Sequence, residues 1–329
     1  MSTNRVTFID TMRGFSLFGI LMANLLIFQF GMSGPVEIKD LSALDNGALY
    51  FVKIFIDGSF MPIFAILFGY SFIKLIESIR KKKEKSRWSI IRRATGLIVL
   101  GLIHSLLWKG DFLIIYGGMT LFLIPFINCK PKTLFIWAGI LLLFAQVRPM
   151  VIHPLLLFGM GLAKTQAFTN MENEKKWYLI GVLLVPVGLA CKCFSFIDSY
   201  FSGMLMLTGS QLLSVGYVCL AALLYKTHPV QMLAPAFESV GKLSLTNYLM
   251  QTIFSTTVFY EFGLGIQGKL GVFGGILFGI VLYSLQCIFS LAYLKKFKRG
   301  PFETILRIWT NWSWNGQIKI KQNGSTLHE

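Results

Sequence analysis

The sequence predicts an all-α integral membrane bundle of about ten transmembrane helices, with both termini on the cytoplasmic side. Three observations carry this expectation. The chain is 54% hydrophobic and only 14% charged, where an ordinary soluble domain carries about 25% charge, and its mean hydropathy is +0.64. Long uncharged runs recur along all 329 residues, on the scale of the roughly 20 residues a bilayer crossing needs. Finally, 31 Lys and Arg outnumber 15 Asp and Glu, and they concentrate in alternate connections, as the positive-inside rule requires. Ten crossings leave room for loops but not for a separate nucleotide-binding domain, so any chemistry lies between helices or at their ends.

Taken in order between charged breaks, the spans are 14–31, 50–77, 94–108, 112–128, 133–147, 150–163, 177–195, 201–225, 238–260 and 270–294. The first follows Asp10 and Arg13 and is too long for the core of a signal peptide, so it reads as a retained helix. After the second comes the cluster Arg80, Lys81, Lys82, Lys83, Lys85, Arg87, Arg92 and Arg93, which fixes that connection as cytoplasmic. On this topology 25 of the 31 basic residues lie inside, and Lys39, Lys53, Lys109, Arg148, Lys192 and Lys269 lie outside. The net charge of +16 is thereby explained by sidedness and attraction to anionic headgroups, without nucleic acid. A membrane location follows, with the bilayer and its anionic headgroups as partner and a homo-oligomer left open.

Residues 1–314 read as one helical domain. Its last part, 302–314, mixes Ile305, Leu306, Ile308, Trp309, Trp312 and Trp314 with Arg307, which suits a helix in the inner headgroup layer. Residues 315–329 read as a polar, disordered tail. Leu-Phe-Gly occurs at 17–19, 67–69, 157–159 and 277–279, a recurrence that points to helices packing through glycine. Cys129, Cys191, Cys193, Cys219 and Cys287 match no zinc or redox spacing and read as small core residues. No metal site is expected.

Ionisable groups within spans cost about 2.5 to 3.5 kcal/mol on insertion scales and need partners or a wet cavity. Asp57 has Lys53 one turn before it and can form an ion pair. Asn24, Asp57, His104, Asp111 and His153 come from separate helices yet share the outer half of the bilayer, as an externally accessible polar cavity would require. A histidine beside a carboxylate is the minimal general base or nucleophile unit, so His104 is the candidate base or nucleophile, oriented by Asp57 or Asp111. The competing structural reading has His104 bonding another helix, Asp111 capping the next one, and Pro154 placing His153 at a helix start. At the inner end Arg13 can pair with Asp10, and Arg13, Arg92 and Arg93 can hold a phosphate. Ser244, Thr246, Asn247, Tyr248 and Gln251 make the ninth span the richest in hydrogen-bonding groups, either joining helices or lining a substrate path.

A resemblance rests on an ordered set of residues: Asp10-x-x-Arg13-Gly14 with Gly19 and Asn24, Leu67-Phe68-Gly69, Arg92-Arg93, Gly101-x-x-His104, Gly110-Asp111 with Tyr116, Gly241-x-Leu-Ser-Leu-Thr-Asn247-Tyr248-x-x-Gln251, and Phe297-x-x-Gly300-Pro301-x-Glu303. Together they resemble the YeiB-like bacterial membrane proteins (domain of unknown function 418), a family remotely similar to transmembrane acyltransferases of the heparan-glucosaminide acetyltransferase type. The resemblance implies acyl transfer from a donor such as acyl-coenzyme A to an extracytoplasmic glycan or lipid. His104, Asp57 and Asp111 are then catalytic, and Asn24, Asn247, Tyr248, Gln251 and Arg13 contact substrate. Those acyltransferases use a histidine of the first outer loop, and this chain has none between Gly31 and Asp57. The alternative is a transporter or lipid flippase using the same polar residues.

Overall fold

The computed structural model describes residues 6–31, 41–81, 86–144, 148–169, 171–197 and 200–313. Among them every regular element is helical. In chain order these are α1 (Thr7–Phe30), α2 (Ala43–Phe51) running into a π-turn (Val52–Ile56), α3 (Phe60–Lys81), α4 (Ser86–Ser105), and α5 (Leu113–Phe122) with a 3-10 turn (Ile124–Asn128). Then follow α6 (Pro131–Phe144), α7 (Arg148–Lys164), α8 (Lys175–Val182), α9 (Leu184–Phe194), α10 (Ser202–Leu224), α11 (His228–Lys242), α12 (Ser244–Phe259), α13 (Gly271–Lys296) and α14 (Pro301–Asn311). The expected tail, 315–329, lies outside the described residues.

Five segments among the described residues are long and apolar enough to cross a membrane: Thr7–Phe30, Ala43–Lys81, Lys175–Phe194, Ser202–Leu224 and Gly271–Lys296. The apolar helices Leu113–Phe122, Pro131–Phe144 and Ile152–Lys164 are shorter, each below the roughly 30 Å hydrocarbon thickness at 1.5 Å per residue. Large apolar side chains point outward all around the bundle, Leu106, Leu143, Phe144 and Ile197 among them. A water-exposed protein does not carry so extensive an apolar surface, and lipid is the solvent that suits it.

Three expected spans are interrupted. The second, 50–77, breaks at Asp57–Ser59 between the π-turn and α3; 177–195 is divided at Leu183; and 238–260 is divided at Leu243, with α11 beginning well before it. Pro154 lies inside α7 and not at its start, which corrects the expectation for His153. An interrupted helix releases backbone groups that must find partners when no water is at hand, so each break is a place to look for polar side chains brought from elsewhere.

α1 is the central post, with Phe8, Leu17, Leu21, Leu25 and Phe28 buried and α3, α11, α12 and α13 packed around it. Two helix pairs approach almost backbone to backbone. A Cβ on Gly69 would overlap the Leu156 carbonyl and one on Gly159 the Ile66 carbonyl, joining α3 to α7. On the other side of α1, a Cβ on Gly14 would overlap the Phe237 carbonyl and one on Gly241 the Asp10 carbonyl, joining α1 to α11. Two of the four Leu-Phe-Gly tripeptides are thus each other's contact surface. Of the other two, Gly19 packs under the Phe60 ring and Gly279 against Leu25 and Met22.

α14 is amphipathic: Leu306 and Thr310 are buried while Ile305, Trp309 and Trp312 are exposed. Leu306 and Trp309 seat against Gly96 of α4, and the Trp309 indole donates to Thr95 Oγ1 at 3.2 Å.

Candidate functional site

A cavity of about 400 Å³ runs beside α1 from Arg13 to Ile27, a helical distance of about 21 Å. One end holds Arg13, Arg93, Lys242 and Glu303; the other holds Asn24, Asp57, Gly58, Ser210 and Gln211. Between them the wall is aromatic and apolar, with Phe60, Phe64, Phe68, Tyr116 and Tyr248. Arg93 lies within electrostatic reach of Arg13 and Glu303. Arg13 Nη1 also reaches Asp10 Oδ1 at 3.2 Å, the pairing expected from their spacing.

Glu303 is placed by α14 but works on α12. Its carboxylate accepts from the Leu245 and Thr246 backbone N–H groups at 2.8 and 3.1 Å and from the Thr246 hydroxyl at 2.5 Å. These amides open α12 immediately after the break at Leu243, so Glu303 satisfies the first-turn donors that a broken span exposes. Glu303→Ala is expected to destabilise the protein by about 1 to 3 kcal/mol and to raise tryptic cleavage at Lys298 and Arg299. Glu303→Gln, which keeps one acceptor oxygen, should lose less in the same thermal-unfolding and proteolysis measurements.

His104 and Asp111 do meet, across the turn that joins α4 to α5. α4 ends at Ser105, the chain turns through Trp108, and Asp111 comes back as α5 begins. His104 Nδ1 lies 2.7 Å from Asp111 Oδ1, and both residues are buried, 4% and 9% exposed. Asp111 Oδ2 accepts from the Leu113 and Ile114 N–H groups at 3.0 and 3.3 Å, so the capping role is filled by the same carboxylate. The Tyr248 hydroxyl donates to Asp111 Oδ1 at 3.2 Å and accepts from the Phe112 N–H at 3.3 Å. An ionised carboxylate only accepts, so Asp111 fixes the His104 proton on Nδ1. Among the described residues His104 Nε2 is buried without a hydrogen-bond partner, as is the Tyr116 hydroxyl. Tyr248 belongs to the cavity wall, whereas His104 and Asp111 stand behind it.

Asp57 does not partner His104. Lys53 Nζ bonds its Oδ2 at 3.0 Å, the local ion pair the spacing predicts. Asn24 is on the cavity wall. Asn247 and Gln251 face α13: Asn247 Nδ2 donates to Ser290 Oγ at 3.0 Å, Gln251 Nε2 to Gln286 Oε1 at 3.0 Å, and Gln286 Nε2 to the Asn247 carbonyl at 3.0 Å. This ladder joins two helices, and of the ninth-span trio only Tyr248 reaches the cavity. His153 meets the Phe122 ring edge-on at 4.7 Å. Among the described residues no group of three His, Cys, Asp or Glu is arranged to hold a metal ion.

Sequence reasoning missed Lys192, Ser210, Lys242 and Glu303. Lys192 is the sole Asp, Glu, Lys or Arg of the expected span 177–195, a signal that marks an intramembrane site by itself. Lys242 and Glu303 sit near or beyond span ends, where interfacial anchoring explains a charge equally well, and Ser210 is an uncharged residue inside the span 201–225.

Comparison with known proteins bears on this arrangement. Residues 162–313 match the family described as "Protein of unknown function (DUF418)". The chain is 27% identical to the uncharacterized protein YxaH of Bacillus subtilis (strain 168), over 95% of this chain and 96% of that one. It is 26% identical to an uncharacterized 39.9 kDa protein in the amylase 3' region of Bacillus acidopullulyticus, over 93% and 94%. To the uncharacterized protein YeiB of Escherichia coli (strain K12) it is 24% identical over 97% of both chains. No solved structure matches, and no similarity to acyltransferases emerges from the comparisons.

Proposed function

We propose that this chain, whose residues 162–313 match the DUF418 family and which is similar to YeiB along its length, is a YeiB-like multi-pass bacterial plasma-membrane protein that carries an amphiphile with an anionic head between the two halves of the bilayer. Its ten spans leave both termini in the cytoplasm, as the distribution of basic residues favours. The observation that carries the reading is the cavity, basic at one end, polar at the other and apolar between. An acyl or isoprenoid chain lies against Phe60, Phe64 and Phe68, and the head binds Arg13, Arg93 and Lys242. Arginine suits that role because its planar fork meets phosphate or carboxylate with two bonds and stays charged.

The test is translocation of headgroup-labelled lipid in proteoliposomes. Anionic lipid should cross faster than in protein-free vesicles, and neutral lipid should not. Arg93→Gln is expected to slow it about tenfold, the effect of losing one charge-assisted hydrogen bond of roughly 1.4 kcal/mol. Translocation equal to protein-free vesicles, or unchanged in Arg93→Gln, overturns the reading.

Acyl transfer is the second reading, favoured by one observation: the partnerless Nε2 of a histidine already oriented by a carboxylate. In it His104 takes the proton of an acceptor hydroxyl or amine as that atom bonds to the acyl carbon of a thioester donor such as acyl-coenzyme A, and the thiolate released when the C–S bond breaks takes the proton back from the imidazolium. It requires the ring to turn past Tyr248 into the cavity. Thioester loss that disappears in His104→Ala supports it; wild-type protein without turnover sinks it.

A further inference from the structure

Lys192 is fully buried, with 0% of its surface exposed. Its ammonium donates to the Asp57 carbonyl at 2.6 Å, the Ser59 hydroxyl at 3.0 Å and the Lys53 carbonyl at 3.2 Å. Among the described residues, three oxygens from one short stretch of chain accept from this ammonium, and the Asp57 carbonyl also accepts from the Ser210 hydroxyl at 3.4 Å. That stretch is the break before α3, where the π-turn ends and Gly58 takes φ +72°. The neighbouring acceptors are used elsewhere. Ser214 Oγ donates to the Ser59 carbonyl at 2.6 Å, and the Tyr217 hydroxyl donates to the Phe55 carbonyl at 3.1 Å.

The lysine is delivered by a close crossing of α9 and α10. A Cβ on Gly209 would meet both the Gly188 carbonyl and Lys192 Cγ at 2.8 Å, so the two glycines clear the channel along which the stem runs. In many secondary transporters, backbone oxygens freed by an interrupted membrane helix coordinate a monovalent cation. We propose that this break is a monovalent-cation site, filled from within the chain by the Lys192 ammonium, and that the ammonium is the positioning group for the Asp57–Ser59 turn. Because Asp57 and Gly58 belong to the cavity wall, the occupant of the site fixes the shape of that end of the cavity. The inference uses no property of the cavity's ligand, so it stands or falls separately from the amphiphile reading.

Thermal unfolding of the full chain in detergent tests it. Lys192→Ala empties the site and should lower the midpoint on the order of 10 °C, because the oxygens are left without a cation. At least half of that loss should return in ammonium or potassium chloride, and none in N-methyl-glucamine chloride of equal ionic strength. Lys192→Gln, which supplies neutral donors, should be less stable than wild type and insensitive to the cation. A Lys192→Ala midpoint that is unchanged, or lowered alike in all salts, overturns the proposal, as does a Lys192→Gln protein as stable as wild type. Should Lys192→Ala give no folded protein in glucamine, purification in ammonium chloride decides: recovery of folded protein supports the site, and continued loss overturns it.

Discussion

Asp111→Ala is expected to lower stability by roughly 3 to 5 kcal/mol, the scale on which breaking a buried ionic or charge-assisted pair costs a protein. One carboxylate serves four donors: the His104 ring, the Tyr248 hydroxyl and two backbone N–H groups at the start of α5. Truncation orphans all of them at once in a site where neither His104 nor Asp111 reaches the surface, and unmade buried hydrogen bonds each cost about 1 to 3 kcal/mol. Asp111→Asn should recover part of the loss, since an amide oxygen still accepts from Leu113 and Ile114 and the His104 tautomer can invert to accept from the amide nitrogen. His104→Ala removes one of the four bonds and should cost less than Asp111→Ala. The ranking wild type, Asp111→Asn, Asp111→Ala in detergent thermal unfolding is the check; an Asp111→Ala protein within about 1 kcal/mol of wild type would show that the network holds nothing together.

That network also shows how far the sequence could be read. The pairing of His104 with Asp111 was legible as two residues of suitable type near the same membrane depth. Its route was not, because the contact is made across the turn between α4 and α5, and hydropathy does not fix how the chain turns there. The apolar runs locate the helices well, since hydropathy acts locally and each run needs only itself. The breaks at 57–59 and 243 were invisible for the opposite reason. The oxygens at the first are satisfied by Lys192, more than a hundred residues away in sequence, and the amides after the second by Glu303. An interruption whose cost is met by a distant side chain leaves no signature in its own segment. Asn247 and Gln251 illustrate the same limit: their type announces hydrogen bonds, and only the packing of α12 on α13 decides that a helix and not a ligand receives them.

Gly69→Ala and Gly159→Ala should each destabilise by about 3 kcal/mol or more, at the upper end of overpacking penalties. At these positions the added carbon meets a backbone carbonyl of the facing helix, and backbone cannot rotate away as the end of a side chain can. α3 and α7 would have to separate, and α3 carries Phe60, Phe64 and Phe68 of the cavity wall, so the loss should extend from stability to ligand binding. Gly139 of α6 provides the internal control, because nothing lies within 4 Å of a Cβ built there. Gly139→Ala should be neutral or stabilising by up to about 1 kcal/mol, since it adds helix propensity without a clash. The contrast isolates shape from composition: all three changes are glycine to alanine in a helix. If Gly69→Ala, Gly159→Ala and Gly139→Ala unfold at one temperature, the close approach of α3 and α7 is wrong. A second measurement separates contact from local strain. The Gly69→Ala, Gly159→Ala double variant should cost less than the sum of the singles, because both side chains obstruct the same crossing and one separation relieves both.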